Sequence, residues 1–405
     1  MGTSIKALLL LLALASPAFA QVTVSKGAVK RNFAVTGFAG DSALAGQVTD
    51  VLKNDLRLSG DFQLSPAGSA EYVQQQGTVR IEGGDVVVEC VVVATASKQA
   101  VLSKTYRYNA QSVRQVVHRL SDDIVQTVTG QRGIAQTKIA FVVRRSNAKE
   151  IAVMDYDGFN VRQVTTDRTI NVRPRWSPNG RKLVYTSYKS RFPDVIEHEV
   201  FTGIRRRLAE FPGLNTGAAY SPDGNTIALT LSRDGNPELY TMDAGGGNLR
   251  RLTRTKPGAE SSPTWSPDGQ TIAYVSDSRG SPQVYLIHRD GGEPTRLTVS
   301  PAYNTEPDWS RPPAGAPLPP MIAVTSQVGN RFQIGVASGA SQEVPAVASD
   351  GGDCQDPSWA PNGRHLVFSK TANWRSRLYV LDVLTREQIQ LPAVDGDASE
   401  PAWGP

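Results

Sequence analysis

The sequence is poor in the two side chains that most often bind metals or act as nucleophile and base. It contains two cysteines in 405 residues, too few for a disulfide framework. The four histidines fall on different predicted elements and show no metal-ligand spacing; they are His118, His198, His288 and His365. We interpret His118 as a surface residue of a helix. The sequence therefore predicts no metal site and no cofactor.

Neither sign of charge dominates the chain. Lysine and arginine number 43 against 38 aspartates and glutamates, a formal net charge of +5, which is mild for this length. Short basic clusters at 205–207 and 250–251 fall on predicted surface strands or loops. Their simplest interpretation is solvated charge on edge strands. The composition therefore does not predict a nucleic-acid partner.

Only one stretch is long and strongly apolar, and it lies at the start of the chain. Lys6 provides a positive charge, residues 7–15 an apolar segment, and Ala18-Phe19-Ala20 a small-residue cleavage pattern. These are the three parts of a secretory signal peptide, and the apolar segment is too short to span a bilayer. We expect cleavage after Ala20 and an exported, soluble chain that begins at Gln21.

A short phrase built around an aromatic residue occurs six times in the rest of the chain. The clearest copy is Pro-Thr-Trp-Ser-Pro-Asp-Gly at 263–269, and the aromatic positions are 176, 220, 265, 309, 359 and 403. The intervals between them are 44, 45, 44, 50 and 44 residues. A nearly fixed period of this length indicates an array of one repeated supersecondary unit.

Each repeat has the pattern of four short strands. In the copy that contains Trp265, apolar segments cover 271–275 and 283–287, an Asp-Gly-Gly turn follows at 290–292, and a short edge strand covers 295–298. Pro-Asp-Gly and Asp-Gly are strong turn and hairpin signals. Four strands in each 44 residues predict the blade of a β-propeller.

Two unpaired pieces predict how the ring closes. The strand 138–143 has no phrase before it, and the phrase at 400–405 has no strand after it. We predict that the C-terminal strand joins the blade that begins at Lys138, because closure removes the exposed edges of an open array. The fold class is therefore an α/β (α+β) domain followed by a six-bladed all-β propeller over 136–405.

Residues 21–135 lack the repeat and are predicted to form the α/β domain. Its pattern includes a strand at 33–38, a helix from Ser42 to about Leu58 capped by Asp41, meander strands at 78–81, 86–95 and 100–108, and a helix over 111–129. Cys90 lies in an apolar run and is interpreted as a core residue. Whether Cys90 and Cys354 are free is left open. Residues 21–32 are polar and are predicted to form a mobile arm.

The order of these parts resembles the TolB family, the periplasmic components of the Tol-Pal system. The resemblance rests on a signal peptide, a small α/β domain and a propeller that ends in Pro-Ala-Trp at 401–403, with Asn-Thr-Glu-Pro-Asp-Trp at 304–309 as a further match. It extends over essentially the whole mature chain. It implies a periplasmic, monomeric protein without enzymatic activity, which acts in outer-membrane integrity and in constriction during cell division.

The resemblance also implies two protein partners. A Pal-like peptidoglycan-associated lipoprotein would bind the mouth of the propeller, where each phrase begins, and a TolA-like inner-membrane protein would bind the start of the mature chain. The candidate contacts at the mouth are Asn215, Thr216, Ser261, Ser262, Asn304, Thr305, Glu306, Asp356 and Glu400. The candidate contacts in the arm are Gln21, Val22, Thr23, Val24, Ser25 and Lys26.

Two alternatives remain open. Exported propellers with such phrases also accompany peptidases of the prolyl-oligopeptidase type, but those enzymes need a Gly-x-Ser-x-Gly nucleophile motif that this sequence lacks. A propeller that binds a small molecule or a glycan would need a closed pocket at its mouth. The turn Asp155-Tyr156-Asp157-Gly158 is interpreted as a hairpin and not as a calcium loop. A cation in the central channel is neither predicted nor excluded.

Overall fold

The computed structural model describes residues 29–338 and 342–405, which form an N-terminal domain and a β-propeller. The predicted signal peptide, its cleavage site and the arm residues 21–28 lie outside these ranges. Within the described ranges, no helix combines the length and the apolarity that crossing a membrane requires.

The N-terminal domain is a mixed sheet with two helices. The sheet has the order β3-β1-β4-β5-β6, and β2 pairs with β4 beside it. The strands are β1 Arg31–Val35, β2 Ala39–Gly40, β3 Phe62–Leu64, β4 Tyr72–Glu82, β5 Asp85–Ala94 and β6 Gln99–Asn109. Short 3-10 turns cover Ala67–Ser69 and Ala110–Ser112. Because β1 begins at Arg31, the last two residues of the predicted arm belong to the sheet.

The two helices are α1, Ser42–Leu58, and α2, Val113–Thr129. The carboxylate of Asp41 accepts hydrogen bonds from the backbone N–H groups of Ala43 and Leu44, so the predicted N-cap is confirmed. Apolar side chains of both helices form one core with those of the sheet, and the thiol of Cys90 is buried in it. Cys354 is a buried thiol in the propeller.

The propeller has six blades of four antiparallel strands, which confirms the predicted fold class. We number the blades from the one that contains Lys138 and give each from its inner to its outer strand. Blade 1 contains Asp397–Trp403, Lys138–Arg145, Ala148–Asp155 and Arg162–Gln163. Blade 2 contains Asn171–Trp176, Lys182–Ser187, Asp194–Glu199 and Arg205–Ala209. Blade 3 contains Asn215–Tyr220, Thr226–Leu231, Glu238–Asp243 and Arg250–Arg251. Blade 4 contains Glu260–Trp265, Thr271–Ser276, Gln283–His288 and Thr295–Arg296. Blade 5 contains Asn304–Trp309, Met321–Val328, Arg331–Ser338 and Ala346–Ala348. Blade 6 contains Asp353–Trp359, His365–Ala372, Arg375–Asp382 and Gln388–Gln390.

The C-terminal strand closes the ring as predicted. Asp397–Trp403 is the inner strand of blade 1 and pairs with Lys138–Arg145, with Trp403 opposite Ile139. The indole N–H of Trp403 donates to the hydroxyl of Thr137 at 2.7 Å. The first and last parts of the propeller sequence therefore form one sheet, which leaves no open edge at the junction.

The repeated phrase joins each blade to its neighbour. The indole N–H of Trp265 donates to the carbonyl oxygen of Ala219 at 3.0 Å, and Trp176 and Trp359 donate in the same way to Ala402 and Asp308. In every case the acceptor precedes the aromatic residue of the adjacent blade. These tryptophans therefore pack blades together, and Trp265 is completely buried.

The N-terminal domain lies at one end of the propeller. We call this end the tryptophan end, because inner strands run toward it and finish in the phrase aromatics. Arg364, in the turn after the inner strand of blade 6, donates to the carbonyl oxygen of Gly60 at 2.9 Å and pairs with Asp61. Tyr156, after the third strand of blade 1, donates to Asp55 of α1 at 2.8 Å. At the opposite end, the mouth, no described residue of this domain covers the propeller.

Candidate partner-binding site

A β-bulge occurs at the same position of all six inner strands, and the bulges surround the channel at the mouth. In each blade the pairing register shifts there. One bulge residue per blade has a φ angle between 48° and 64°, in the left-handed region. We call these residues the channel ring: Arg173, Gly217, Ser262, Glu306, Asp356 and Glu400. Since non-glycine residues rarely adopt such angles, the repetition shows that the bulge is a built-in feature that aims side chains into the channel.

Hydrogen bonds across the channel ring nearly close the channel. The carboxylate of Glu400 accepts the backbone N–H of Arg173 at 2.8 Å, and the Arg173 guanidinium donates to the hydroxyl of Ser262 at 3.2 Å. Glu306 accepts the hydroxyl of Thr325 at 2.7 Å and the backbone N–H of Asp356 at 3.2 Å. The cavity that remains is about 30 Å³, room for one or two water molecules and not for a sugar.

The channel ring concentrates three carboxyl groups beside one guanidinium. Burial raises the pKa of Asp356 well above its usual value, and the charges of Glu306 and Glu400 raise it further, against the charge of Arg173. The pKa of Asp356 is also raised by its hydrogen bond with Glu306. This arrangement favours the protonated form of Asp356.

The structure divides the mouth residues that the sequence predicted. Ser262, Glu306, Asp356 and Glu400 belong to the channel ring. Three others occupy half-buried positions one residue before the ring in their own strands; they are Thr216, Ser261 and Thr305. The six arm residues Gln21–Lys26 lie outside the described ranges.

Asn215 and Asn304 are corrections to the predicted set. Both side chains are completely buried. The amide of Asn215 donates to the carbonyl oxygens of Pro193 and Phe211 at 3.0 and 2.7 Å. Asn304 donates in the same manner to Pro301 at 2.6 Å. These amides anchor the loop that precedes each inner strand, so they cannot contact a partner. The two asparagines were predicted to be exposed because they are polar residues near the repeated phrase. Their side-chain amides instead donate hydrogen bonds to buried carbonyl groups.

Arg173 is a channel-ring residue that the sequence-based prediction missed. It is exposed, and it lies three residues before Trp176, at the same offset as Ser262, Glu306, Asp356 and Glu400 from their own aromatic residues. Superposing the six copies on the aromatic position would have found it.

Trp374 is a second residue that the prediction missed. It is the only one of six tryptophans outside the repeated phrase, and 93% of its surface is exposed. It lies in the turn between the second and third strands of blade 6, and this turn is at the mouth, because the adjoining Thr371 pairs with Asp353 at the start of the inner strand. Asn373 and Trp374 have φ angles of 50° and 62°. A bulky side chain in this conformation is an outlier that often marks a functional position.

A buried polar cluster joins the two domains at the tryptophan end. His118 of α2 lies 2.8 Å from Asp55 of α1, and Asp55 also accepts the hydroxyl of Tyr156 from the propeller. Arg114 of α2 pairs with Asp157. His118 is only 2% exposed, so its interpretation as a surface residue was wrong. The interpretation failed because the His118 ring also packs against Tyr156 of the propeller. The spacing of apolar residues in a helix does not show that a second domain covers it.

Metal binding is one chemistry that this cluster could support. Ligand-type atoms of Asp55, His118 and Asp157 lie within 4.8 Å of one another. Asp55 is already bonded through both oxygens, however, and Asp157 is paired with Arg114. A cation there would have to displace the Arg114 guanidinium. The arrangement is therefore better suited to holding the domains together.

Comparisons with known proteins point to one family. The model of the TolB beta propeller domain matches residues 125–405. The Tol-Pal system protein TolB of Bordetella pertussis is 34% identical, over 98% of this chain and 95% of its own length. The protein of the same name from Bordetella bronchiseptica is also 34% identical, over 98% of this chain and 94% of its own length.

Solved structures agree with this relationship. The crystal structure of TolB from Acinetobacter baumannii superposes with a TM-score of 0.82 at 26% identity and covers 93% of this chain and 97% of that chain. A putative TolB from Agrobacterium tumefaciens, at 21% identity and a TM-score of 0.50, shares the fold over 65% of this chain and 91% of that chain. With relatives that extend over both domains and names that support a role without catalysis, this chain belongs to the TolB family and is a non-enzymatic component of the Tol-Pal system.

Proposed function

We propose that the chain acts in the periplasm as a link between a Pal-like peptidoglycan-associated lipoprotein and a TolA-like inner-membrane protein. In this role it would contribute to outer-membrane integrity and to constriction during cell division. Family membership and the signal-peptide pattern of residues 1–20 support the proposal. So does the fold, because a closed propeller offers a rigid circular surface for a protein loop.

The observation that carries the proposal is the free mouth. The N-terminal domain covers the tryptophan end through Arg364, Tyr156 and the buried cluster around His118. With respect to residues 29–338 and 342–405, the mouth is therefore the end of the ring open to a partner as large as a protein. A glycan or a small molecule at the mouth is disfavoured, because the cavity inside the channel ring is only about 30 Å³.

Trp374 is the best candidate for the central contact of the lipoprotein. A fully exposed tryptophan loses much apolar surface to water when a partner covers it, and tryptophan is enriched among residues that dominate binding energy. Arg375 beside it is largely exposed and pairs only weakly with Asp397, at 3.9 Å. Together they offer one large apolar and one cationic group at the mouth.

Substitution at the two ends of the propeller tests this assignment. Trp374→Ala and Arg173→Glu should each weaken binding of the Pal-like lipoprotein at least tenfold, about 1.4 kcal/mol. Phe201→Ala is the matched control, because Phe201 is 69% exposed but follows the third strand of blade 2, at the tryptophan end. Equal binding by Trp374→Ala and Phe201→Ala, measured by calorimetry, would remove the mouth assignment.

The TolA-like partner is assigned to the arm. Lys30 pairs with Glu387 of the propeller, and Arg31 begins β1, so a deletion should stop well before them. Removal of residues 21–26 should abolish binding of the TolA-like protein and leave the melting temperature unchanged. Retained binding would refute the arm assignment, and the lipoprotein affinity of the same variant provides the control for correct folding.

A further inference from the structure

A second cavity lies in the channel at the tryptophan end. Its volume is about 260 Å³, room for several water molecules. It is separated from the mouth by the channel ring. The cavity is lined by five of the six phrase aromatics, by the residues that precede the aromatics in the inner strands, and by Arg132 from the segment after α2.

Two arginines of this cavity have few partners. Among the residues that the structure describes, the side chain of Arg175 forms no hydrogen bond or ion pair, and that of Arg311 forms one hydrogen bond, to the carbonyl oxygen of Tyr220 at 3.4 Å. Both are half-buried. Half-buried guanidinium groups normally pair with carboxylates, since each removes five N–H donors from water. The lining thus contains guanidinium N–H groups that no carboxylate accepts.

One carboxylate, that of Asp308, lines the same cavity, but its hydrogen bonds go elsewhere. It accepts the backbone N–H of Trp359 at 2.7 Å. Burial raises the pKa of Asp308, although the charges of Arg175 and Arg311 act in the opposite direction. Burial also lowers the pKa of Arg311, and the like charge of Arg175 adds to this effect against the charge of Asp308. Three guanidinium groups, those of Arg132, Arg175 and Arg311, and one side-chain carboxylate, that of Asp308, line the cavity together with the last residue, Pro405, and leave an excess of positive side-chain charge.

We propose that this cavity binds a small oxyanion, a phosphate or a carboxylate group, between the guanidinium groups of Arg175 and Arg311. The planar donor fork of arginine matches both oxyanions in geometry, and a half-buried site strengthens the attraction. The hydroxyl of Thr264, which accepts the backbone N–H of Trp309 at 3.3 Å, has its proton available for a further bond. The site does not depend on either protein partner.

Titration calorimetry of the mature chain tests the proposal. The probes are inorganic phosphate and malonate, each at an ionic strength matched with sodium chloride. Saturable binding of one or both is expected, and the comparison distinguishes a phosphate site from a carboxylate site. No saturable heat with either anion, or an equal effect of chloride alone, would overturn the proposal.

Three variants locate the site. The double variant Arg175→Gln/Arg311→Gln should weaken anion binding at least tenfold. Arg254→Gln is the matched control, because Arg254 is exposed just after the outer strand of blade 3. Asp308→Asn changes the charge in the other direction and should tighten binding about threefold or more at pH 7.5. If the double variant fails to fold, unchanged or weaker binding by Asp308→Asn would still refute the assignment.

Discussion

The Nδ1 atom of His118 lies 2.8 Å from the Oδ2 atom of Asp55, and the contact joins α2 to α1 at the surface that carries the propeller. Nε2 of the same imidazole faces Asp155 of the propeller at 3.9 Å. Arg114 pairs with Asp157, and Lys138 with Asp155. Two fixed cations and three carboxylates therefore surround the imidazole, and the nearby Asp122 also acts on it through its charge, so a proton on His118 offsets part of the negative charge of the cluster.

This arrangement predicts that stability falls as the pH rises above neutrality. Burial alone would lower the pKa of His118, but the hydrogen bond and charge of Asp55 and the charge of Asp157 outweigh it and raise the pKa. Because its folded-state pKa is raised, His118 contributes its full stabilisation at pH values below its unfolded-state pKa of about 6.5. This contribution is lost as the pH rises through the folded-state pKa. His118→Gln should flatten the decrease in unfolding free energy between pH 6 and pH 9, measured with urea.

His288→Gln is the control for this experiment, because the His288 side chain is exposed in the propeller. It should keep the pH profile of the unsubstituted protein. An identical profile in His118→Gln would show that the imidazole does not hold an additional proton in the folded state.

The ion pairs of Arg364 predict that stability also depends on pH in the acid range. It bonds Asp382 at 2.7 Å within the propeller and also pairs with Asp61 of the N-terminal domain. Burial alone would raise the pKa of Asp382, but hydrogen bonding and the charge of Arg364, together with His365, lower it to about 2. This stabilisation is present above about pH 4 and is lost as the pH falls through 2.

Arg364→Met should cost about 3–5 kcal/mol near neutral pH, because it leaves a buried carboxylate unpaired. Its stability should then change less than that of the unsubstituted protein between pH 4 and pH 2. Arg145→Met is the matched control, because its partner Asp395 is almost fully exposed, and its cost should not exceed about 1 kcal/mol. Similar costs for both variants in thermal unfolding would contradict a structural role of Arg364 at the interface.

Ring closure predicts a large effect of a short truncation. Deletion of residues 399–405 removes most of the inner strand of blade 1 and the buried side chain of Trp403. Loss of one buried tryptophan alone costs about 3–5 kcal/mol. The melting temperature should fall steeply, and the exposed edge of Lys138–Arg145 should promote self-association, visible in sedimentation velocity. Trp374→Ala, which removes an exposed tryptophan, should leave the melting temperature nearly unchanged.

Asp356→Asn is predicted to stabilise the protein. The pKa of Asp356 is raised, so its ionised form is unfavourable in the folded state, and the cost appears above its unfolded pKa of about 3.9. Asparagine carries no charge, so the free energy of unfolding measured with urea at pH 7.5 should be higher for the variant than for the unsubstituted protein. The gain should shrink toward pH 4. Asp395→Asn, at an exposed position, is the control, and a loss of stability in Asp356→Asn would show that the ionised form of Asp356 is not unfavourable in the folded state.

Much of the propeller could be predicted because each blade is a local unit. The turn after Trp265 shows why: the hydroxyl of Ser266 bonds Asp268 and accepts the N–H of Thr271 at 2.9 Å, and Gly269 has a φ angle of +67°. These contacts join residues within six positions of each other. The phrase therefore specifies its own turn wherever it occurs. The N-cap Asp41 was predictable for the same reason.

The start of α2 shows the limit of local signals. Its apolar spacing predicted a helix from Gln111, but Ala110–Ser112 form a 3-10 turn and the α-helix begins at Val113. The side chain of Asn109 accepts the backbone N–H of Gln111 at 3.0 Å and starts the tighter turn. The hydrogen bond from an asparagine side chain to nearby backbone competes in this way with regular helix geometry. The spacing of apolar residues does not show this competition.

The sequence by itself determined the number of blades, their order and the strand that closes the ring, because these follow from a period of about 44 residues and from turns made within each repeat. Only the tertiary structure decided which side chains meet. Asp55 and His118 are 63 residues apart, and Arg175 shares a cavity with Asp308 and Arg311 although it belongs to a different repeat. Such contacts depend on how helices and blades pack, and the spacing of residues along the chain does not show which side chains meet.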